Sequence, residues 1–265
     1  MIAEASRIEV AQVRGRSRLI GSRAIQPLKI LQSKCPSDAC YAVISNYGGG
    51  IVAGDQIQLD IDCGPDSRFC LGTQAHTRVY KSDNRPTSQT VSLRVGKKGL
   101  AVICADPLVL HEGAIFQQRW DCQLAESADL VLIDWLSAGR IRRGESFAFE
   151  RFETELRLRS EGELVLLDRL RLEPAAQEPR SPAVFGNCDQ LLSIYLVGPR
   201  AKALAERPIA VPDGVHLATH PIRDIGVLLR ATSANSAHLD GIVRQFTATL
   251  AAPSLLGFDP LARHF

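Results

Sequence analysis

The sequence predicts a mainly β protein built from stacked sheets or a β-solenoid-like body. Short stretches of alternating apolar and polar residues recur over the first two thirds of the chain, separated by turns rich in glycine, proline and aspartate. Helical spacing of apolar residues appears only near the C-terminus. With 265 residues, of which 45% are hydrophobic, the chain is long enough to form one large all-β domain with a sizeable core.

The β body is expected to extend from about residue 6 to about residue 173. Residues 6–24 mix apolar residues with arginines, which predicts an edge strand followed by a basic turn. The clearest strand is 56–63, where apolar and polar residues alternate throughout. Further strands are predicted at 27–32, 41–46, 91–95, 100–104, 107–110 and 114–122.

The second half of the chain contains a buried strand, a linker and two helices. The almost wholly apolar run DLVLI at 129–133 predicts a strand that is buried on both faces. A proline-rich linker is expected at 174–182, before a mixed α/β part over 183–265 of the same domain. Helices are predicted at 199–206 and 236–250, and the second has three candidate N-caps: Ser233, Asn235 and Ser236.

Bulk properties argue against several classes of protein. A formal net charge of +2 gives no strong field for nucleic acids or acidic membranes. The N-terminus carries charges instead of an apolar signal region, and no run reaches transmembrane length, so we expect a cytoplasmic protein without a membrane partner. The seven cysteines are odd in number and form no Cys-x-x-Cys pair, which indicates reduced thiols rather than a disulfide framework.

The glycine-rich stretch GGGIVAGD at 48–55 is the most informative turn. Its density of glycine predicts positive φ angles or a close backbone approach near Asp55. A phosphate-binding loop would open a helix, whereas this turn leads into the strand at 56–63 and lacks a following Gly-Lys-Ser/Thr. We therefore interpret it as a tight turn between strands.

Three carboxylates, Asp55, Asp134 and Asp168, interrupt or adjoin apolar strands, where an isolated charge would be destabilising. One interpretation is that each pairs with a nearby arginine such as Arg140 or Arg169. The other is an acid-lined interior that passes a divalent cation by weak oxygen ligands. No nucleophile motif accompanies them, which argues against an enzyme.

The segment GRIRRGE at 139–145 predicts a tight, arginine-rich loop. It presents Arg140, Arg142, Arg143 and Glu145 between two glycines. Arginine beside an aromatic residue such as Trp135 is typical of protein-docking surfaces. A phosphate or nucleic-acid patch and a solvated charged turn are the alternatives.

The order of these motifs resembles the urease accessory protein family called UreD, or UreH in some bacteria. GGGIVAGD resembles the family's glycine motif, and TQAHTRVYKS at 73–82 resembles its threonine and tyrosine motif. DWLSAGRIRRGESF at 134–147 resembles its Gly-Arg-x-x-x-Gly-Glu block, and LLDRLRLE resembles the strand that follows. In the C-terminal third, RDIGVLLRATS at 223–233 and the final helix continue the resemblance, although this helix lacks the family's tryptophan.

The resemblance implies a single domain of stacked β-sheets with a β-helix-like body and about two C-terminal α-helices. It implies a non-catalytic scaffold that helps to insert nickel into apo-urease, together with the helical protein UreF and the GTPase UreG. No cofactor is expected to bind tightly, and Ni²⁺ is expected to pass transiently through the interior. The candidate residues for that route are Asp55, Thr77, Asp134 and Asp168, and the candidate partner-binding residues are Tyr80, Arg140, Arg142, Arg143 and Glu145.

Two other classes of function remain open from the residues alone. A nucleic-acid-binding β protein would use Arg14, Arg16 and Arg18 together with the GRIRR segment. A metal-dependent enzyme would use the same aspartates in a tight site with an open pocket. The resemblance favours urease maturation over both, and no nucleic-acid partner is expected.

Overall fold

The computed structural model describes residues 4–262, which form seventeen strands and two α-helices. The first nine strands are β1 (Ser6–Val13), β2 (Arg16–Arg23), β3 (Leu28–Gln32), β4 (Cys40–Asn46), β5 (Gln56–Cys63), β6 (Arg68–Thr73), β7 (Thr77–Val79), β8 (Thr87–Val95) and β9 (Leu100–Cys104). The remaining elements are β10 (Leu108–Leu110), β11 (Ile115–Leu124), β12 (Asp129–Ser137), β13 (Arg151–Ser160), β14 (Glu163–Leu172), β15 (Gln190–Val197), α1 (Pro199–Lys202), β16 (Val215–Ile222), β17 (Gly226–Ser233) and α2 (Ser236–Thr249).

The strands form two sheets that enclose a common core. The first sheet has the spatial order β14-β13-β11-β8-β5-β1-β2, and the second has the order β16-β17-β15-β12-β9-β6-β4-β3. The central strands of each sheet run parallel, and the chain passes from one sheet to the other between β5 and β6, β8 and β9, and β11 and β12. The chain therefore winds as a β-helix, which confirms the predicted mainly β fold with its β-helix-like body and two C-terminal helices.

Strand register stacks similar side chains on one another inside the β-helix. On the inward face of the first sheet, Leu59 pairs with Val91, Val91 pairs with Trp120, and Trp120 pairs with Leu156. All four side chains are buried. Alternation along each strand thus sends one row of apolar residues into the core and leaves the next row outside.

Connections between the sheets gather at two opposite ends of the β-helix. Short turns stack at one end, at 64–67, 96–99 and 125–128. Longer loops stack at the other end, which we call the loop end, at 47–55, 74–86, 105–114 and 138–150. The short strands β7 and β10 lie in these loops and pair with each other, and β10 also pairs with the last residues of β12.

Strand β12 lies at the centre of the second sheet and is covered on both faces. Leu130 and Leu132 belong to the core between the sheets, whereas Val131 and Ile133 belong to a second core between this sheet and the helices. The predicted burial of the DLVLI strand on both faces is confirmed.

The C-terminal part extends the second sheet. Strand β15 pairs antiparallel with β12, β17 pairs with β15, and β16 pairs with β17. Helix α2 packs on the outer face of this sheet, and the Asn235 side chain accepts a hydrogen bond from the Ala237 N–H (3.0 Å), which identifies the N-cap among the three candidates. Neither helix in the described part of the chain combines the length and apolar character needed to span a bilayer.

Both sheets end in strands that have a neighbour on one side only within residues 4–262. These edge strands are β2 and β14 in the first sheet and β3 and β16 in the second. Three of them expose large apolar side chains, with exposed fractions of 59% for Ile20, 46% for Leu31, 42% for Leu164 and 43% for Leu167. The sheets therefore have open edges that carry apolar surface.

Candidate functional site

The glycine-rich turn forms one side of the loop end because its backbone lies against β7. Gly48 and Gly54 have positive φ angles, and a Cβ atom on Gly50 would lie 2.7 Å from the Arg78 carbonyl oxygen. The Ile51 N–H donates to that same carbonyl (2.8 Å). The predicted positive φ angles and close backbone approach are both confirmed.

Asp55 closes this turn instead of facing the interior. Its Oδ2 accepts a hydrogen bond from the Val52 N–H (2.9 Å), and its own N–H donates to the Val52 carbonyl (3.0 Å). Asp55 is not among the residues that line the internal cavities. The structure therefore separates it from the other three candidate route residues, because its carboxylate is engaged by the backbone of its own turn.

An internal cavity of about 380 Å³, which we call the inner cavity, opens between the two sheets near the loop end. Thr77 from β7 and Asp134 from β12 both line it, although 57 residues separate them in the sequence. The exposed residues His76 and Arg78 also line it, on the loop side. The structure thus brings two of the candidate route residues into one space.

A second, much smaller cavity continues from Asp134 toward strand β14. It has a volume of about 20 Å³ and is lined by Asp134, Asp168, Ser193 and Arg230 among others. This volume accommodates about one water molecule. Asp134 is therefore shared by both cavities, and Asp168 lies on the far side of the smaller one.

Two facing rows of polar side chains cross the core where these cavities meet. The row in the first sheet occupies one register position and consists of Gln89, Gln118 and Thr154. The row in the second sheet likewise shares a register position and consists of Asp134, Ser193 and Arg230. The rows touch where the Gln118 Nε2 donates to the Asp134 Oδ1 (3.1 Å). Together they form a polar layer through an otherwise apolar core.

Burial dominates the electrostatics of Asp134. It raises the pKa of the Asp134 carboxyl above its ordinary value, and the nearby Asp168 raises it further, whereas the Gln118 hydrogen bond and Arg230 oppose the rise. A carboxylate here is destabilised because only one hydrogen bond from the described residues compensates its lost hydration.

Asp168 is compensated much better because it lies beside a cation and a hydroxyl. Its Oδ2 accepts hydrogen bonds from the Tyr195 hydroxyl (2.5 Å) and from the Arg230 guanidinium. The proposed pairing with an arginine is thus found, but the expected partner was wrong. Arg169 instead contacts Glu155 (2.6 Å) on the outer face of the first sheet.

We expect Asp134→Asn to increase the free energy of unfolding at neutral pH and to lose this advantage in acid. A carboxyl whose folded-state pKa lies above its unfolded value destabilises the fold most at high pH, and protonation removes that penalty as the pH falls toward about 3.9. Each unit of difference in pKa contributes about 1.4 kcal/mol. Urea unfolding at a series of pH values measures the effect.

The matched control is Asp121→Asn, because Asp121 lies on the outer face of the first sheet beside Arg159 (3.1 Å). It is expected to change stability by less than about 1 kcal/mol. A stability difference between wild type and Asp134→Asn that stays constant between neutral and acidic pH would contradict the assigned burial effect.

The arginine-rich loop lies at the loop end and is held by contacts at its base and across it. The Phe147 N–H donates to the Ala138 carbonyl (2.8 Å) at its base, and Arg140 forms a bidentate ion pair with Glu145 across it. This pairing keeps the pKa of the Glu145 carboxyl below its ordinary value. Arg140 and Glu145 thus stabilise the loop, which leaves Arg142 and Arg143 exposed to solvent.

A cavity of about 760 Å³ lies beside this loop, and we call it the arginine cleft. Four arginines line it: Arg78, Arg140, Arg142 and Arg143. Tyr80 and His111 also line it, and their rings pack edge to face with centroids 5.0 Å apart. The cleft adjoins the inner cavity, since Arg78 and Trp135 line both. Four of the five candidate partner-binding residues therefore surround one space.

Comparison with known proteins identifies the family of this chain. The profile of the family described as UreD urease accessory protein matches residues 4–264. The chain belongs to the UreD family. It is 34% identical to urease accessory protein UreD of Cytophaga hutchinsonii, over 96% of this chain and 95% of that protein. It is 36% identical to the UreD proteins of an Anaeromyxobacter species (98% and 89% covered) and of Sorangium cellulosum (95% and 81% covered). Membership supports a role in urease maturation.

The polar layer of this UreD-family chain was missed by sequence reasoning, although a signal was present. Gln118 follows Phe116 and precedes Trp120 at the inward positions of β11, so it interrupts an apolar row. Ser193 and Arg230 interrupt inward rows in β15 and β17 in the same way. Alternation reveals which face a residue occupies, but not which residue of the opposite sheet it meets.

The structure separates the two arginine groups on which a nucleic-acid interface would depend. Arg14, Arg16 and Arg18 lie at the β1–β2 turn, where the Gln12 side chain donates to the Asp66 carbonyl (2.8 Å) of a short turn. That is the end opposite the arginine-rich loop. A single basic surface formed by both groups is therefore absent from the described UreD-family chain.

Ligands for a tight metal site are also separated. Within residues 4–262, no three His, Cys, Asp or Glu side chains converge in a way that could hold a metal ion. The seven cysteines form no disulfide, and burial raises the pKa of Cys40 to about 11 and of Cys63 and Cys122 to about 12. These thiols therefore stay protonated, which leaves oxygen atoms as the available ligands in the polar layer.

Proposed function

We propose that this chain is a non-catalytic scaffold of urease maturation that couples a UreF-like helical protein and a UreG-like GTPase to apo-urease and passes Ni²⁺ through its interior. Family membership supports the coupling. The observation that carries the passage is the position of Asp134, which belongs to one polar row, contacts the other row through Gln118 and lines both internal cavities. An ion that enters from the loop end would meet Thr77, then Asp134 and then Asp168.

The chemistry of this layer suits an ion in transit. Hydroxyl, amide and carboxylate oxygens are weak ligands for Ni²⁺ compared with thiolate or imidazole. Asp134 becomes a better ligand as the cation arrives, because the positive charge favours the ionised carboxylate that burial otherwise disfavours. Release of Ni²⁺ then requires no rearrangement of the protein, because the ligands do not surround the ion on all sides.

The pair of Asp168 and Arg230 controls the far side of the layer. Asp168 is bound to the Arg230 guanidinium, so a cation must displace that arginine before it uses the Asp168 carboxylate. The Arg230 side chain is 36% exposed and therefore has space to move toward solvent. We infer that this ion pair opens as Ni²⁺ passes.

The test is Asp134→Asn, which removes the charge but keeps the side-chain volume and the oxygen that accepts from Gln118. In cells that co-produce apo-urease with its accessory proteins, we expect nickel per urease to fall on the order of tenfold, as for a barrier raised by about 1.4 kcal/mol. The accessory complex should still assemble, because Asp134 lies inside the core. Nickel content, urease activity and co-purification are the three readouts.

Asp121→Asn provides the control, since it removes the same charge from the outer face of the first sheet. It should leave nickel loading unchanged. Normal loading with Asp134→Asn would exclude this internal route. A wild-type chain that fails to co-purify with the accessory proteins and apo-urease would exclude the scaffold.

A further inference from the structure

The arginine cleft carries an excess of positive charge that residues 4–262 do not neutralise. Four arginines line the cleft, against the two aspartates Asp106 and Asp240. Both aspartates are already engaged: Asp240 accepts from Arg244 (2.6 Å), and Asp106 accepts from Thr73 (2.7 Å). Asp240 is therefore already paired with a cation, and Asp106 adds a single acidic charge beside four arginines.

Three of the cleft arginines have no carboxylate partner within residues 4–262, namely Arg78, Arg142 and Arg143. Some exposed arginines elsewhere in the described part of the chain do find one, since Glu155 alone contacts Arg119, Arg157 and Arg169, but Arg14, Arg18, Arg85 and Arg94 do not. The cleft differs from those scattered positions because its arginines line one space. Three guanidinium groups that line one cavity without a paired carboxylate repel one another. An anionic ligand in the cleft would remove this repulsion.

A buried histidine in the cleft is also left unsatisfied. His111 is 8% exposed, and its Nε2 has no hydrogen-bond partner among the described residues. Burial lowers the pKa of His111, and Arg140 lowers it further, so the ring is neutral at pH 7. A buried polar nitrogen without a partner is destabilising, and one new hydrogen bond would relieve it.

We propose that the arginine cleft binds an acidic segment of a protein partner in the maturation complex, with carboxylates that pair with Arg78, Arg142 and Arg143. This assignment rests on the proposed function as a scaffold. Arginine beside a packed tyrosine is the composition of interface hot spots, and bidentate pairing with carboxylates suits guanidinium groups that project from a loop held by an internal ion pair.

An acidic protein segment fits the cleft better than the other anions. A volume of about 760 Å³ greatly exceeds that of a free phosphate. A nucleic acid would need a longer basic track and exposed aromatic rings for stacking, whereas the other arginine group lies at the opposite end and the Tyr80 ring packs against His111.

Docking of an acidic segment would also change the entrance to the inner cavity. Arg78 lines both the cleft and the inner cavity, so an unneutralised cleft repels a divalent cation at the loop side. Carboxylates bound to these arginines remove that repulsion. Ni²⁺ therefore enters the passage more readily when the partner is in place.

The direct test uses a fluorescein-labelled peptide of alternating glutamate and leucine, with its glutamine counterpart as the neutral probe. The full-length chain is compared with the double variant Arg142→Glu/Arg143→Glu. Arg14→Glu/Arg18→Glu is the matched control, because it reverses two exposed arginines at the opposite end. We expect the charge reversal in the loop to weaken binding of the acidic peptide about tenfold or more, and the control to match wild type.

Competition identifies the class of ligand. Excess unlabelled acidic peptide should displace the probe, whereas inorganic phosphate and a single-stranded oligonucleotide should not at equal charge. The assignment is overturned if Arg142→Glu/Arg143→Glu binds the acidic peptide as tightly as wild type, or if the oligonucleotide binds more tightly than the peptide. Unchanged thermal unfolding of both double variants shows that the fold is intact.

A second experiment distinguishes a failure of this inference from a failure of the proposed function. Each variant is co-produced with the UreF-like protein, the UreG-like GTPase and apo-urease, and recovery of the complex is measured at increasing salt. Loss of the complex only in the loop variant supports docking at the cleft. Full recovery with that variant removes the cleft from the assembly but keeps the scaffold, whereas failure of the wild-type chain to assemble removes the scaffold.

Discussion

Asp129→Ala is expected to lower the free energy of unfolding by about 3–5 kcal/mol, because it leaves two backbone N–H groups and one guanidinium without the buried carboxylate that accepts from them. Asp129 is fully buried and accepts hydrogen bonds from the Arg200 Nε (2.7 Å), the Arg200 N–H (2.6 Å) and the Ala201 N–H (2.9 Å). One side chain at the start of β12 therefore satisfies both a guanidinium and the first turn of α1. Thermal unfolding should shift downward by roughly 10 °C.

Two further variants test whether the loss of stability comes from the contacts of Asp129. Asp129→Asn keeps one acceptor oxygen and should lose about half as much stability. Asp121→Ala removes an aspartate whose partner Arg159 is about one third exposed, so its loss should stay below about 1 kcal/mol. An Asp129→Ala protein within about 1 kcal/mol of wild type would show that α1 and the second sheet do not depend on this contact.

Asp168→Ala is expected to destabilise the chain by about 2 kcal/mol. It leaves Arg230 beside the core with neutral hydroxyl groups, such as that of Ser193 (3.3 Å), in place of a carboxylate and removes the acceptor of the Tyr195 hydroxyl. The loss is smaller than for Asp129 because Asp168 accepts from two side chains, whereas Asp129 also accepts from two backbone N–H groups. Arg230 is 36% exposed, so water can partly replace the carboxylate. Urea unfolding of the single variant measures it.

The paired variant Asp168→Leu/Arg230→Leu tests the cause. Replacing both partners by apolar residues removes the unpaired charge, so stability should return to within about 1 kcal/mol of wild type. A double variant that is less stable than Asp168→Ala would mean that packing, not charge, dominates at this position. The same comparison shows whether any loss of nickel loading in Asp168→Ala follows from instability.

Much of the fold could be predicted because it depends on local patterns. Alternation over 56–63 gave β5, the continuous apolar run gave the doubly covered β12, and helical spacing with a polar cap gave α2. The glycine turn was also predictable, since positive φ and close backbone approach are properties of the glycines themselves.

The site depends on distant pairs, and the sequence does not specify those. Asp168 meets Arg230 from 62 residues away, and the expected Arg169 points to the opposite side of β14. Asp55 resembled the other aspartates in its context but is engaged by its own turn. Arg140 and Glu145 were predicted as partner-binding residues, and the sequence did not show that they pair with each other. Spacing shows where a charge is, and only the packed sheets show what neutralises it.

The open sheet edges have a practical consequence for handling the protein. The backbone N–H and C=O groups on the outer side of β2, β3 and β14 can form hydrogen bonds with a strand of any neighbouring chain. Each of these strands also exposes a leucine or isoleucine. We expect the isolated polypeptide to associate through these edges as its concentration rises. Unfolding and binding are therefore best measured on dilute samples.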